Sequence, residues 1–148
     1  MPGHLFQGIA EKTREQILQA AREESYAQND FVFRQGEPAR HFFILAEGRI
    51  RLSHGAGELL AYVVRDVDDV VGWSSLVEND IYSASAECLV PVKVLKIEKQ
   101  RLDEILLQDP TSGMRFYKNL AAIIGSRLIK SYQATLSVHG SREPQPGG

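Results

Sequence analysis

The sequence predicts a mainly β domain with one helix before the strands and two after them. Three observations carry that expectation. Short apolar segments between residues 31 and 97 are separated by Gly-containing turns. Several of these segments, such as Val92-Lys93-Val94-Leu95-Lys96-Ile97, alternate in or near period two, as half-buried strands do. After residue 98 the apolar spacing changes to threes and fours, the helical interval. Many short strands broken by glycine turns indicate a sandwich, a barrel or a jelly roll.

In chain order, Thr13-Arg14-Glu15-Gln16 has capping-box spacing, and Ile9, Ile17, Leu18 and Ala21 supply apolar positions for a first helix. Phe31-Val32-Phe33 reads as a strand, closed by the loop Gln35-Gly36-Glu37-Pro38. Residues 41–46 and 49–53 flank Glu47-Gly48, a turn in which glycine takes positive φ freely. His54-Gly55-Ala56-Gly57-Glu58 is a further turn, and strands are expected over 59–65, 67–71, 82–88 and 92–97. Leu102, Ile105 and Leu106 share one face of a helix over 99–108. Asp109-Pro110 starts another, because Asp is a favoured N-cap and Pro suits the first helical position. That helix is expected over 110–137, a rod of roughly 42 Å at ~1.5 Å per residue. The tail, 138–148, is rich in Gly and Pro and reads as disordered, which leaves 1–137 as one domain.

Composition narrows the function classes. The longest apolar run, residues 59–64, is far short of the ~20 residues that cross a membrane. The start, Met1-Pro2-Gly3-His4-Leu5, has no basic stretch leading into an apolar one, and the single cysteine, Cys88, excludes an internal disulfide framework. A cytoplasmic location is expected. Residues 1–109 hold 12 Lys/Arg against 18 Asp/Glu, a balance of −6. Residues 110–137 carry Arg115, Lys118, Arg127 and Lys130 with no acid. Those four cations read as the solvated face of a helix and form no dense basic patch of the kind that drives DNA affinity. The four histidines, His4, His41, His54 and His139, include no closely spaced pair for a metal, and no nucleophile elbow or phosphate loop is present. Catalysis, a metal and a cofactor are not expected.

The most informative stretch is Val70-Val71-Gly72-Trp73-Ser74-Ser75-Leu76, followed by Tyr82-Ser83-Ala84-Ser85-Ala86. An apolar strand runs into a glycine, then a Ser-rich turn suited to a helix start, then an alternating strand. Backbone N–H groups freed at such a start can hold an anion such as a phosphate. That layout resembles the phosphate-binding cassette of cyclic-nucleotide-binding domains. With Phe33-x-x-Gly36 and Phe43-Ile44-Leu45-x-x-Gly48-Arg49-Ile50-Arg51-Leu52, residues 5–136 resemble the regulatory domain of the catabolite-activator and fumarate-nitrate-regulator family. The resemblance implies a double-stranded β-helix jelly roll with a long C-terminal dimerisation helix and a role in sensing a small molecule for transcription regulation. It also implies a winged helix-turn-helix beyond that helix, for which the eleven residues after 137 leave no room.

Where the family has a Glu to hold the ribose there is Trp73, and where it has an Arg to pair with the cyclic phosphate there is Tyr82. Removing an ionic partner from a buried phosphate costs on the order of 2–5 kcal/mol, so ordinary cyclic AMP binding is disfavoured. Two further readings stay open. Trp73 and Tyr82 fill the old site as core aromatics, or a different anionic or nucleotide-like effector stacks on both rings and bonds to Gly72, Ser74, Ser75 and Ser83. Ser131 and Tyr132 align with positions that the resemblance places at the base, although Ser131 also suits a helix seam. One cysteine rules out the iron–sulfur cluster of oxygen-sensing relatives. Residues 66–90 lack the histidine of haem-sensing ones, although Pro2 is present.

Tyr117, Ala121, Ile124 and Leu128 fall on one stripe with spacings of four, three and four, and predict a parallel homodimer. A second stripe, Met114, Leu120 and Ile123, is expected to pack on the β-domain. The expected function is thus a non-catalytic, dimeric, effector-sensing domain with a degenerate cassette. The alternatives are a pocketless module for protein–protein contact and the sensor half of a transcription regulator.

Overall fold

A computed structural model describes residues 4–54, 62–77 and 80–142 of the 148. Among them are eight strands: β1 Arg22–Tyr26, β2 Phe31–Phe33, β3 His41–Glu47, β4 Ile50–Ser53, β5 Tyr62–Val64, β6 Val70–Val71, β7 Ser85–Cys88 and β8 Val92–Glu98. They form two antiparallel sheets of four, in the orders β1-β8-β3-β6 and β2-β7-β4-β5. The helices are α1 Glu11–Ala20, α2 Lys99–Gln108 and α3 Pro110–Arg142. This is the jelly roll expected, with its flanking helices in the expected order.

The uninterrupted apolar run in β3 has a simple cause: the sheet that holds it is covered on both faces. Phe42 and Ile44 point to a core shared with the helices, alongside Ile17, Ile97, Leu102, Ile105, Phe116 and Leu120. Phe43 and Leu45 point the other way, into a core between the two sheets, with Phe33, Ile50, Val64, Ala86 and Val94. Alternation along β8 splits the same way, Val92 and Val94 going inward and Ile97 to the helices. Gly48 is needed at its turn. Its φ is +106°, and a Cβ there would come within 2.6 Å of the Pro91 carbonyl.

Several details depart from expectation. Thr13 is not a cap: α1 begins at Glu11, so Thr13 lies inside the helix and donates to Asp109 Oδ2 at 2.6 Å. β1, Arg-Glu-Glu-Ser-Tyr, carries no apolar alternation. It is an edge strand held by its backbone pairing to β8, with only Glu24 and Tyr26 half-buried. The strand expected over 67–71 shrinks to β6, because Asp68 takes a left-handed turn at φ +70° and Val67 is exposed. The strand over 82–88 begins at Ser85, and only residues 62–65 of the segment 59–65 are described.

Asp109 does cap α3, accepting from the Ser112 N–H at 3.3 Å, with Pro110 in the first turn. The helix continues to Arg142, five residues past the expected end. No Pro interrupts the chain before Pro144, which disfavours helical geometry at the residue before it. Residues 143–148 of the expected disordered tail lie outside the described residues. Phe116 and Leu120 anchor α3 to the helix-side core, with Ile123 and Ile124 partly buried beside them. Met114, expected there, is instead 60% exposed, because Phe116, two positions on, takes the inward face. Asn119 fixes the helix to the N-terminal segment, its amide donating to the Leu5 carbonyl at 2.9 Å and the Gln7 carbonyl at 2.8 Å.

Candidate functional site

β6 pairs with β3 in the register Phe43↔Val71 and Ile44↔Val70 and delivers the chain to Gly72. Gly72 sits at φ +79°, ψ 24°, where a side chain would strain the backbone, and its Cβ would meet the Phe43 ring at 2.9 Å. A single 3-10 turn follows, Trp73–Leu76. Ser75 is fully buried and spends its hydroxyl on that turn, donating to the Gly72 carbonyl at 3.0 Å. Ser74 is buried as well, and its Oγ lies 3.2 Å from the exposed Ser83 Oγ. This contact joins the two halves of the cassette. His54 Nδ1, 2.7 Å from the Ser83 carbonyl, reaches it from the end of β4. Nothing in the local sequence marks His54 for that contact.

Tyr82 is 3% exposed. Its ring stacks on Phe33 at 4.0 Å between centroids, 19° from parallel. Its hydroxyl donates to the His41 carbonyl at 2.8 Å and accepts from the His41 N–H at 3.2 Å. Burial pushes its pKa up, so the side chain is neutral and brings no positive charge to the cassette. Trp73 is half-buried and packs on the helix-side core, whereas Tyr82 belongs to the core between the sheets. The two rings therefore serve different cores, and the arrangement gives no support to one ligand stacking on both.

The charge that sequence reading assigned to solvent is at the opposite wall. Arg127 is 8% exposed. From α3 its Nη2 donates to Asp69 Oδ1 and to the Val70 carbonyl, each at 2.8 Å. Its guanidinium lies 5.2 Å from the centre of the Tyr62 ring. β6 and β5 are edge strands of the two different sheets, so Arg127 lies across the gap between those edges. Its Nε and Nη1 are buried with no hydrogen-bond partner among the described residues. The spacing Phe116, Leu120, Ile123, Arg127 is the signal that would have found it: four, three and four, continuous with the buried stripe.

One turn further, Ser131 is half-buried and donates to the Arg127 carbonyl at 3.0 Å, while Tyr132 is 64% exposed. Beside them opens a cleft of about 370 Å³ lined by Tyr62, Arg65, Asp66, Asp69, Lys130 and Ser131. Ser131 is thus at a cleft that Tyr132 does not line. Of the expected dimer stripe, Tyr117, Ala121 and Leu128 are exposed, and Ile124 is half-buried against the chain's own core. No group of three or more metal-ligating side chains occurs among the described residues, and no helix there is long and apolar enough to cross a membrane.

The two-sheet roll, the glycine turn with its short 3-10 helix and the long helix laid across both sheet edges together define the fold class of a cyclic nucleotide-binding domain. The family model of the cyclic nucleotide-binding domain matches residues 23–109, and the chain belongs to that family. Among solved structures it is similar to a protein of Geobacter metallireducens assigned to cyclic nucleotide binding, with a TM-score of 0.73 and 25% identity over 84% of this chain and 91% of that one. The sensor domain of the transcriptional regulator DNR from Pseudomonas aeruginosa shares the fold (TM-score 0.66, 19% identity, 85% of this chain and 86% of that one). So does the Thermus thermophilus catabolite activator protein (TM-score 0.69, 22% identity, 92% and 63%). The human cGMP-dependent protein kinase 2 is 26% identical over 95 residues, 64% of this chain. The chain spans about 12% of the length of that curated relative.

Proposed function

We propose that this chain is a non-catalytic, small-molecule-sensing regulatory domain whose cassette no longer serves ordinary cyclic AMP. The observation that carries the reading is Tyr82. It stands where the family pairs an arginine with the cyclic phosphate, neutral, buried and with its hydroxyl committed to the backbone of His41. Trp73, at the position of the ribose-binding glutamate, has one N–H donor and no acceptor. An effector would be anionic or nucleotide-like and would lie between the roll and α3, near Ser74, Ser83 and Ser131. Mass spectrometry of small molecules released on denaturing the purified protein tests this. A co-purifying anionic metabolite is the expected result, and an empty protein whose melting temperature no candidate raises would overturn it.

The domain would act as a homodimer through α3. Leu128, Ile129 and Tyr132 are 56, 58 and 64% exposed, an apolar surface that soluble monomers tend to avoid. Location in the cytoplasm fits a regulator of this kind. The second reading, a closed module for protein–protein contact, is favoured by the stacking of Tyr82 on Phe33, which fills the space between the sheets with the protein's own rings. Trp73 fluorescence separates the two, since a sensing site beside it should shift its emission on ligand binding and a closed module should not.

A further inference from the structure

The cleft beside Ser131 combines features that the fold does not require. Arg65 and Lys130 are exposed at its rim, and neither side chain has a hydrogen bond or ion pair among the described residues, although Asp66 is beside them. The Asp66 carboxylate is equally unpaired there. Tyr62 presents a half-buried aromatic ring to the same space. Behind Tyr62 and Asp69 lies Arg127, held by Asp69 and Val70 yet with Nε and Nη1 unsatisfied at more than nine-tenths burial. Of the cleft's own charges, Arg65 and Lys130 face Asp66, while Asp69 is paired by Arg127 from behind, which leaves one excess positive charge at a cleft of mononucleotide size.

We propose that this cleft binds a phosphomonoester carried on a planar ring, a 5′-mononucleotide in its simplest form. Lys130 and Arg65 meet the phosphate, whose two charges match two unpaired cations better than the single charge of a cyclic diester does. The ring lies against Tyr62, and Asp66, an acceptor only, takes a ring amino group. Arg127 is a positioning residue, fixing Asp69 and Tyr62 and adding positive potential from below. The inference keeps the proposed sensing role and goes beyond it in placing the ligand at this cleft, apart from Ser74 and Ser83. The positive charge that Tyr82 cannot offer a phosphate in the cassette comes here from α3 and the segment after β5.

Calorimetric titration with AMP, adenosine, inorganic phosphate and cyclic AMP tests it. AMP should bind, with each of the other three at least about tenfold weaker. Lys130→Ala and Arg65→Ala, both at exposed positions, should each weaken AMP about three- to tenfold without lowering the melting temperature. Tyr62→Leu should weaken AMP and adenosine together. Two results would overturn the cleft: no AMP binding by the wild type, or AMP binding that Ser83→Ala abolishes and the two cation variants leave unchanged. A different metabolite found by mass spectrometry, with AMP inert, would overturn the cleft and leave the sensor reading intact.

Discussion

The Tyr82 hydroxyl bonds to both backbone groups of His41, donating to its carbonyl at 2.8 Å and accepting from its N–H at 3.2 Å. The residue that the sequence resemblance places in a ligand cassette is thereby used to tie that loop to β3. Tyr82→Phe keeps the ring on Phe33 but leaves two backbone groups of His41 unpaired. It should cost about 1–3 kcal/mol, read by urea denaturation. A loss near zero would mean that water replaces the hydroxyl and that the position is open.

Arg127 and Asp69 form a buried pair, with side chains 9 and 14% exposed. Arg127→Met keeps the length of the side chain and leaves the Asp69 carboxylate with no cation, holding only the Val70 N–H at 2.8 Å. The expected loss is about 2–5 kcal/mol, because an unpaired buried charge costs more than the pair was worth. In the double variant with Asp69→Asn, most of that loss should be recovered. Simple additivity of the two losses would show that the residues do not act as a pair.

Two neighbouring residues of the expected dimer stripe, Ile124 and Leu128, should behave differently. Leu128→Glu places a charge on an exposed position and should dissociate the proposed dimer while leaving the fold intact. Ile124→Glu puts the charge against the helix-side core and should lower the melting temperature as well. Light scattering on wild type and Leu128→Glu decides this. A wild-type mass near the 16.5 kDa of one chain at tens of micromolar protein contradicts the dimer.

Hydrogen bonds from Ser112 and Thr13 hold the Asp109 carboxyl below its ordinary pKa. A depressed folded-state pKa contributes stability that is present above the unfolded value and lost as pH falls through the folded one. The melting temperature should therefore fall on acidification below about pH 4, and Asp109→Asn, which keeps a good N-cap, should flatten that part of the profile. An unchanged slope in Asp109→Asn would assign the acid sensitivity to other carboxylates, such as Glu24 beside Tyr26.

The strands and helices are legible in sequence wherever burial imposes a period, as in β8 and α2, or an unbroken apolar run, as in β3. β1 is not, because an edge strand held by backbone pairing to β8 needs no apolar face. Thr13 mimics a cap in sequence because its hydroxyl meets a partner 96 residues away, which no local motif can show. The departures at Trp73 and Tyr82 stand out from their positions alone. That the two rings enter different cores is hidden, since a turn's sequence does not say which face of a sheet each residue meets. Arg127 passes for a surface charge because a charge balance ignores position. Its place on the Phe116–Leu120–Ile123 stripe is the clue that a charge balance overlooks.

The proposed loss of ordinary cyclic AMP binding rests on Tyr82 and Trp73 standing where the family carries its two ligand-binding residues. Calorimetric titration of the purified chain with cyclic AMP and cyclic GMP tests it most directly. No dissociation constant at or below ~1 μM, equivalent to about −8 kcal/mol, is expected for either ligand. A constant tighter than that, abolished by Ser83→Ala, would show that other groups at the cassette do the work of the glutamate and the arginine, and would contradict the account.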